Sequence, residues 1–99
     1  MDFQKAVNEI IAQSVSSFNQ TVDADQQLIN ADSTVIFGPG SNLDSLGFVN
    51  FIVTIEAEID SSLNKTIFIV DEESMEQSEN PFRTIESLKK LLVKKLQSL

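Results

Sequence analysis

The sequence predicts an all-α fold, a small bundle of helices in a single domain over residues 1–99. Apolar residues recur at helical spacing in three segments, over residues 3–18, 44–59 and 80–99. Two shorter segments, 33–37 and 66–70, are rich in β-branched residues and leave an α+β alternative open. Because a sheet of two isolated strands is marginal, the pattern favours the bundle.

The first helix is expected over residues 3–18, with Asp2 as its N-cap. Its expected inward face consists of six residues at helical spacing: Phe3, Val7, Ile10, Ile11, Ser14 and Phe18. A long connection follows over residues 19–43 and contains two short apolar patches, which we expect to pin it to the core. Its Gly-Pro-Gly sequence at residues 38–40 predicts a turn.

The second helix is predicted to begin at residues 44–46, to run to about Ile59 and to be ended by residues 60–62. Its apolar residues are denser than one buried stripe requires. They are Leu46, Phe48, Val49, Phe51, Ile52, Val53, Ile55 and Ile59. We therefore expect part of this helix to face something other than its own core.

The last third of the chain predicts one acidic helical turn and a closing helix. Residues 71–76 form the turn, with Asp71 as N-cap. The closing helix is predicted to open with Asn80 as N-cap and Pro81 in the first turn. Its apolar face is expected to comprise Ile85, Leu88, Leu92, Leu96 and Leu99. Its other side is expected to carry Lys89, Lys90, Lys94 and Lys95.

The composition excludes several kinds of chemistry. The chain has no Cys and no His, which excludes disulfides, cysteine metal sites and a Ser-His-Asp triad. Its net charge of −8 opposes binding to nucleic acid and attracts basic partners. No apolar run approaches the roughly 20 residues of a membrane span. We expect a cytoplasmic monomer that is not an enzyme, binds no metal and does not insert into membranes.

One motif places a serine at the start of the second helix. Asp44, Ser45 and Leu46 follow the Gly-Pro-Gly turn and open the apolar helix. A phosphate on the Ser45 hydroxyl would meet free backbone N–H groups and the positive end of the helix dipole. Asp44 can cap the helix, and Leu46 can present an apolar surface beside a modified serine. The pattern alone leaves open that Asp44 or Ser45 is simply a cap.

Residues 37–59 resemble the phosphopantetheine attachment region of acyl carrier proteins. In that family an Asp-Ser-Leu serine starts the second helix, and an apolar pattern ending in an acidic cluster follows. The residues that match this continuation are Val49, Ile52, Ile55, Glu56, Glu58 and Ile59. The resemblance implies a four-helix bundle of the acyl carrier type, with a long first loop and a short third helix.

The resemblance also implies a function. A phosphopantetheinyl transferase would attach the arm of coenzyme A to Ser45, within an attachment motif that includes Asp44 and Leu46. The arm would supply the thiol that the sequence lacks. Acyl-loading and acyl-transferring enzymes, such as those of fatty acid biosynthesis, would then act on its thioesters. The implied partner-recognition residues are Leu46, Val49, Val53, Glu56 and Glu58.

The chain departs from the family pattern at two positions. Gly47 and Asn50 stand where many members carry acidic residues, which favours a specialised rather than a housekeeping member. Two alternatives remain. One is a carrier of aminoacyl or other activated groups for a dedicated ligase pathway. The other is an unmodified acidic protein-interaction domain, in which Ser45 is merely a cap.

Overall fold

The computed structural model describes residues 2–75 and 80–99, and the regular structure in these two ranges is helical. The helices are α1 (Phe3–Asn19), α2 (Ser45–Leu63), α3 (Glu72–Met75) and α4 (Ile85–Gln97), with a 3₁₀ turn at Ala24–Gln26. The all-α prediction is confirmed. The predicted four-helix bundle is not confirmed. The described ranges contain three long helices, and α3 is only a single turn. None of the helices described is long and apolar enough to cross a bilayer.

The core lies where α1 packs against both α2 and α4. The expected inward face of α1 is buried except for Phe3, which is partly buried. Phe18 meets Phe51 of α2 edge to face, with ring centroids 5.4 Å apart. The inward residues of α2 are Phe51, Ile52, Ile55 and Ile59, and those of α4 are Ile85, Leu88, Leu91, Leu92 and Leu96. The prediction for Leu99 is wrong, since its side chain is 65% exposed beyond the end of α4.

The cap predictions for α1 and α3 are confirmed. The Lys5 N–H donates to Asp2 Oδ1 at 3.1 Å, and the Ser74 N–H donates to Asp71 Oδ1 at 2.8 Å. Each carboxylate therefore satisfies one of the N–H groups that a helix start leaves without a partner. Glu76, the last residue of the predicted acidic turn, lies outside the described residues.

The predicted end of α2 is wrong by one turn. The helix continues through residues 60–62 to Leu63, and Asn64 ends it in the left-handed conformation, with φ of 54°. The Asn64 N–H donates to the Asp60 carbonyl at 3.0 Å. Asparagine tolerates this conformation better than most residues do, so the stop signal is Asn64 rather than the polar run before it.

The predicted start of α4 is also wrong. Thr84, not Asn80, is its N-cap: Thr84 Oγ1 accepts from the Ser87 N–H at 3.1 Å, and Ser87 Oγ accepts from the Thr84 N–H at 3.0 Å. Asn80 Oδ1 instead accepts from the Phe82 N–H at 2.9 Å, in a turn that precedes the helix. The reciprocal Thr84–Ser87 pair satisfies two backbone donors, which gives the later start the advantage.

The first connection pairs with the start of α4. Ile36 donates its N–H to the Arg83 carbonyl at 2.8 Å, and Ile85 and Glu86 donate theirs to the carbonyls of Thr34 and Asp32, each at 3.0 Å. A single antiparallel bridge joins Val35 to Thr84. Segment 33–37 thus pairs through a single bridge with the start of α4, and not with 66–70 as the α+β alternative required.

Segment 66–70 forms neither a helix nor a strand. Ile67 and Ile69 are buried, whereas Phe68 and Val70 are exposed, so alternate side chains point inward. The Ile69 N–H donates to Glu56 Oε2 at 2.8 Å. A side chain of α2 therefore supplies the acceptor that a neighbouring strand would supply in a sheet.

Two lysines of α4, which were expected on its outer side, form ion pairs with other parts of the chain. Lys89 pairs with Asp32 of the first connection at 2.9 Å. Lys95 pairs with Asp71, and its side chain is only 9% exposed. The hydrogen bond from Lys95, reinforced by the Ser74 N–H, lowers the pKa of Asp71 from 3.8 to about 2. The Lys95–Asp71 ion pair thus links the segment that ends at Asp71 to α4.

We expect the Lys95→Gln substitution to lower the free energy of unfolding at pH 6, with a smaller effect at pH 3. Because the folded-state pKa of Asp71 lies below its unfolded value, its stabilisation is fully present above about pH 4. It is lost as the pH falls toward 2. Urea unfolding at both pH values measures the difference. Lys90→Gln, which removes an exposed pair with Glu86 of 3.8 Å, should change little at either pH.

Ser14 is a polar residue in the core whose hydroxyl has no hydrogen-bond partner among the described residues. Its side chain is completely buried on the inner face of α1. We expect Ser14→Ala to raise the free energy of unfolding by about 1–2 kcal/mol, because it removes an unsatisfied buried donor. The exposed Ser16→Ala on the same helix should yield only the helix-propensity gain of about 0.5 kcal/mol. Equal gains in urea unfolding would contradict the burial argument.

Candidate functional site

Ser45 is the first residue of α2, and its side chain is exposed. The residue before it, Asp44, has an extended backbone and caps the helix as expected. Asp44 Oδ1 accepts from the Gly47 N–H at 2.7 Å, and the Asp44 carbonyl accepts from the Phe48 N–H at 2.9 Å. These two bonds fix the helix start, so the Ser45 hydroxyl stands at a defined place on the surface.

Two further N–H groups at this helix start have no protein acceptor. Within the described ranges, neither the Ser45 N–H nor the Leu46 N–H makes a hydrogen bond to the protein, and both residues are exposed. The first N–H groups of a helix carry its positive partial charge. An anion attached to Ser45 Oγ would therefore lie beside two available donors, which is the usual way in which helix starts bind phosphate.

The Gly-Pro-Gly turn directs the chain into this helix start. Gly38 and Gly40 have φ of 92° and 91°, values that residues with a side chain rarely adopt, and the Ser41 N–H closes the turn on the Gly38 carbonyl at 3.1 Å. A Cβ on Gly38 would stand 3.1 Å from a guanidinium nitrogen of Arg83. The positive φ values are the reason for glycine at both positions, since the Arg83 side chain is exposed and can move away from a Cβ.

A cluster of three aromatic side chains packs against the first turn of α2. Phe48 packs against Phe37 with ring centroids 5.0 Å apart and against Phe82 with centroids 5.9 Å apart. Phe37 directly precedes the turn, and Phe82 precedes α4. The sequence analysis missed this cluster because its members lie far apart in the chain and share no local pattern.

The exposed face of α2 carries three apolar side chains. Leu46, Val49 and Val53 are 69%, 53% and 54% exposed and follow one another at helical spacing from the residue beside Ser45. Ile52 and Ile55 on the other side are buried. The surplus of apolar residues noted in the sequence thus forms a second face, as expected. We call Leu46, Val49 and Val53 the α2 patch.

The two glutamates expected to assist the α2 patch are engaged within the chain. Glu56 accepts the backbone hydrogen bond from Ile69. Glu58 accepts from the Ser62 hydroxyl at 2.9 Å, and it lines a surface depression that includes Glu9 of α1. Glu58 therefore lies toward α1, so the structure does not bring it together with Ser45.

Gly47 is buried at the first turn of α2, and a side chain there would approach three neighbours. Its Cβ would stand 3.1 Å from Asp44 Oδ1, 3.5 Å from Gln26 Oε1 and 3.5 Å from the Leu43 Cβ. The Asp44 contact is the tight one, and it involves the carboxylate oxygen that caps the helix. A glycine at position 47 avoids this close approach.

The groups that the described residues place at this site are an accessible hydroxyl and two backbone N–H donors without protein acceptors. The chain contains no His and no Cys, and the described residues include no group of Asp and Glu that could hold a metal ion. Comparison with protein-family models, with characterised proteins and with solved structures finds no match to the chain. The function must therefore be argued from the motif and the geometry.

We expect Asp44→Ala to lower the free energy of unfolding by about 1 kcal/mol, since the Gly47 N–H loses its capping acceptor. Asp44→Asn retains a side-chain oxygen and should lose much less. Urea unfolding of both variants measures this. If the two substitutions lower the free energy of unfolding equally, the charge of Asp44, and not its capping bond, stabilises the helix start.

Proposed function

We propose that the chain is an acyl carrier protein that carries acyl groups as thioesters on a phosphopantetheine arm attached to Ser45. The observation that supports this most strongly is the exposed Ser45 hydroxyl at a capped helix start, beside two N–H groups without protein acceptors. A phosphodiester at this position would accept hydrogen bonds from the Ser45 and Leu46 N–H groups. When bound, the arm supplies the thiol that the chain lacks.

The chain performs no reaction in this proposal. Nothing in its composition supplies a histidine to deprotonate the Ser45 hydroxyl, so the base would come from a phosphopantetheinyl transferase. The exposure of Ser45 is consistent with a residue that must enter the active site of another protein. Acyl-loading and acyl-transferring enzymes would then act on the carried group.

The α2 patch is the proposed contact for these partners. Exposed apolar side chains grouped on one helix face are typical of protein-binding surfaces, and this group begins at Leu46, the residue beside Ser45. Glu56 would stand at the edge of the contact. Glu58, which lies toward α1, would contribute only to the general negative field.

The order of elements also supports an acyl carrier arrangement. A long first helix, a long connection, a helix that starts at the serine, a short acidic turn and a closing helix follow one another as the resemblance implies. In this proposal α3 is the short third helix of that arrangement. The packing at Gly47 favours a specialised carrier, and a carrier of aminoacyl groups would use the same serine.

Intact-mass measurement tests the proposal. Incubation with coenzyme A and broad-specificity transferases should add the mass of one phosphopantetheine to the wild type and none to Ser45→Ala. Ser61→Ala, an exposed serine in the last turn of α2, is the matched control and should take up the full mass.

A wild type that stays unmodified across several transferases would refute the carrier function and favour an unmodified interaction domain. Modification that persists in Ser45→Ala would refute the assignment of the site.

A further inference from the structure

The two long connections of the chain are held in different ways. The first connection is paired backbone to backbone with the start of α4, where Ile36 and Ile85 donate N–H groups at 2.8 and 3.0 Å. The second connection, between α2 and α3, has no such pairing with the described residues. Of the backbone groups of residues 65–70, only the Ile69 N–H bonds to a described residue, and its acceptor is the Glu56 side chain at 2.8 Å. Side chains, and not the backbone, therefore hold the second connection.

We call residues 65–71 the strap. The hydrogen bond from the Ile69 N–H to Glu56 ties it to α2. The ion pair between Asp71 and Lys95 ties it to α4. Since α2 and α4 both pack against α1, the strap bridges two helices that contact each other only slightly.

The strap also covers apolar surface. The side chains of Ile67 and Ile69 are buried. Val70 lines an apolar groove together with Phe48 and Phe82. If the strap moved away from the helices, the sites that the two isoleucines fill would be open, and the groove would lose one wall.

We propose that the strap opens as one unit while the three long helices stay packed, and that this exposes the apolar seam between α2 and α4. Opening breaks two polar contacts and the burial of two isoleucines, which is far less than separation of the helices would break. The start of the strap allows the movement, because Asn64 already ends α2 in the left-handed conformation. The Asn64 N–H bond to the Asp60 carbonyl lies on the helix side of this point, so no hydrogen bond of α2 has to break.

The opening would change the surroundings of the candidate site. Phe48, a wall of the groove that Val70 lines, lies one helical turn beyond Ser45. Loss of the Val70 wall would extend this groove into the seam between α2 and α4. The opening goes beyond the proposed function and does not depend on it, since it is a property of the unmodified chain.

Native-state hydrogen exchange of the unmodified chain, followed for each amide by NMR, tests the proposal. We expect the Ile69 amide to be protected roughly 100-fold less than the Ile11 and Val15 amides in the core of α1, because it exchanges when the strap alone opens. Lys95→Gln should lower the protection of Ile69 further, since the pair with Asp71 breaks on opening.

Two matched variants each remove one buried methylene. Ile67→Val, in the strap, should lower the protection of the Ile69 amide about fivefold. Ile11→Val, in α1, should lower the protection of the α1 amides by a similar factor. It should leave the protection of Ile69 within about twofold of wild type, because α1 stays packed when the strap opens.

Three results would overturn the proposal. The Ile69 and α1 amides could be equally protected, or Ile11→Val could lower the protection of Ile69 as much as Ile67→Val does. The Ile69 amide could also be unprotected in the wild type, which would mean that the contact with Glu56 is absent. None of these results bears on whether Ser45 accepts the arm, which the intact-mass measurement decides separately.

Discussion

The backbone pairing between the first connection and the start of α4 is the constraint on which the rest of the structure depends. A connection of this length would lose much conformational entropy on ordering, and a few interactions must offset that loss. The bonds from Ile85 and Glu86 to carbonyls of residues 32–34 do so while they satisfy the exposed donors of a helix start. Because Phe37 follows directly, the same pairing places the Gly-Pro-Gly turn and so determines where α2 begins.

The two faces of α2 show how one helix serves both the core and a surface. Burial of Phe51, Ile55 and Ile59 holds the helix against α1, and the α2 patch lies outside this core. Leu46, Val49 and Val53 each keep more than half of their surface exposed, so core packing does not explain why they are grouped beside Ser45. Contact with a partner protein is the explanation that we propose.

Local signals predicted more of this structure than long-range ones. The caps Asp2, Asp44 and Asp71 and the buried register of α1 depend on residues within a few positions and were predicted correctly. The start of α4 was predicted wrongly from Asn80 and Pro81. The cap at Thr84 is accompanied by the pairing with residues 32–36, which a single segment of sequence does not reveal. The cluster around Phe48 and the contact of Gln26 with Gly47 could not be predicted, since they join residues distant in sequence.

Gly47 links the fold of the first connection to the charge around the candidate site. A glycine inside a helix costs about 0.5–1 kcal/mol relative to alanine, so its presence calls for a reason. The reason is the neighbouring cap, because a Cβ at position 47 would stand only 3.1 Å from Asp44 Oδ1. An acidic side chain at position 47 would stand against the Asp44 carboxylate, whose Oδ1 accepts the capping hydrogen bond from the Gly47 N–H at 2.7 Å. Two like charges at this distance would repel each other, so the glycine keeps the cap of α2 free of that repulsion.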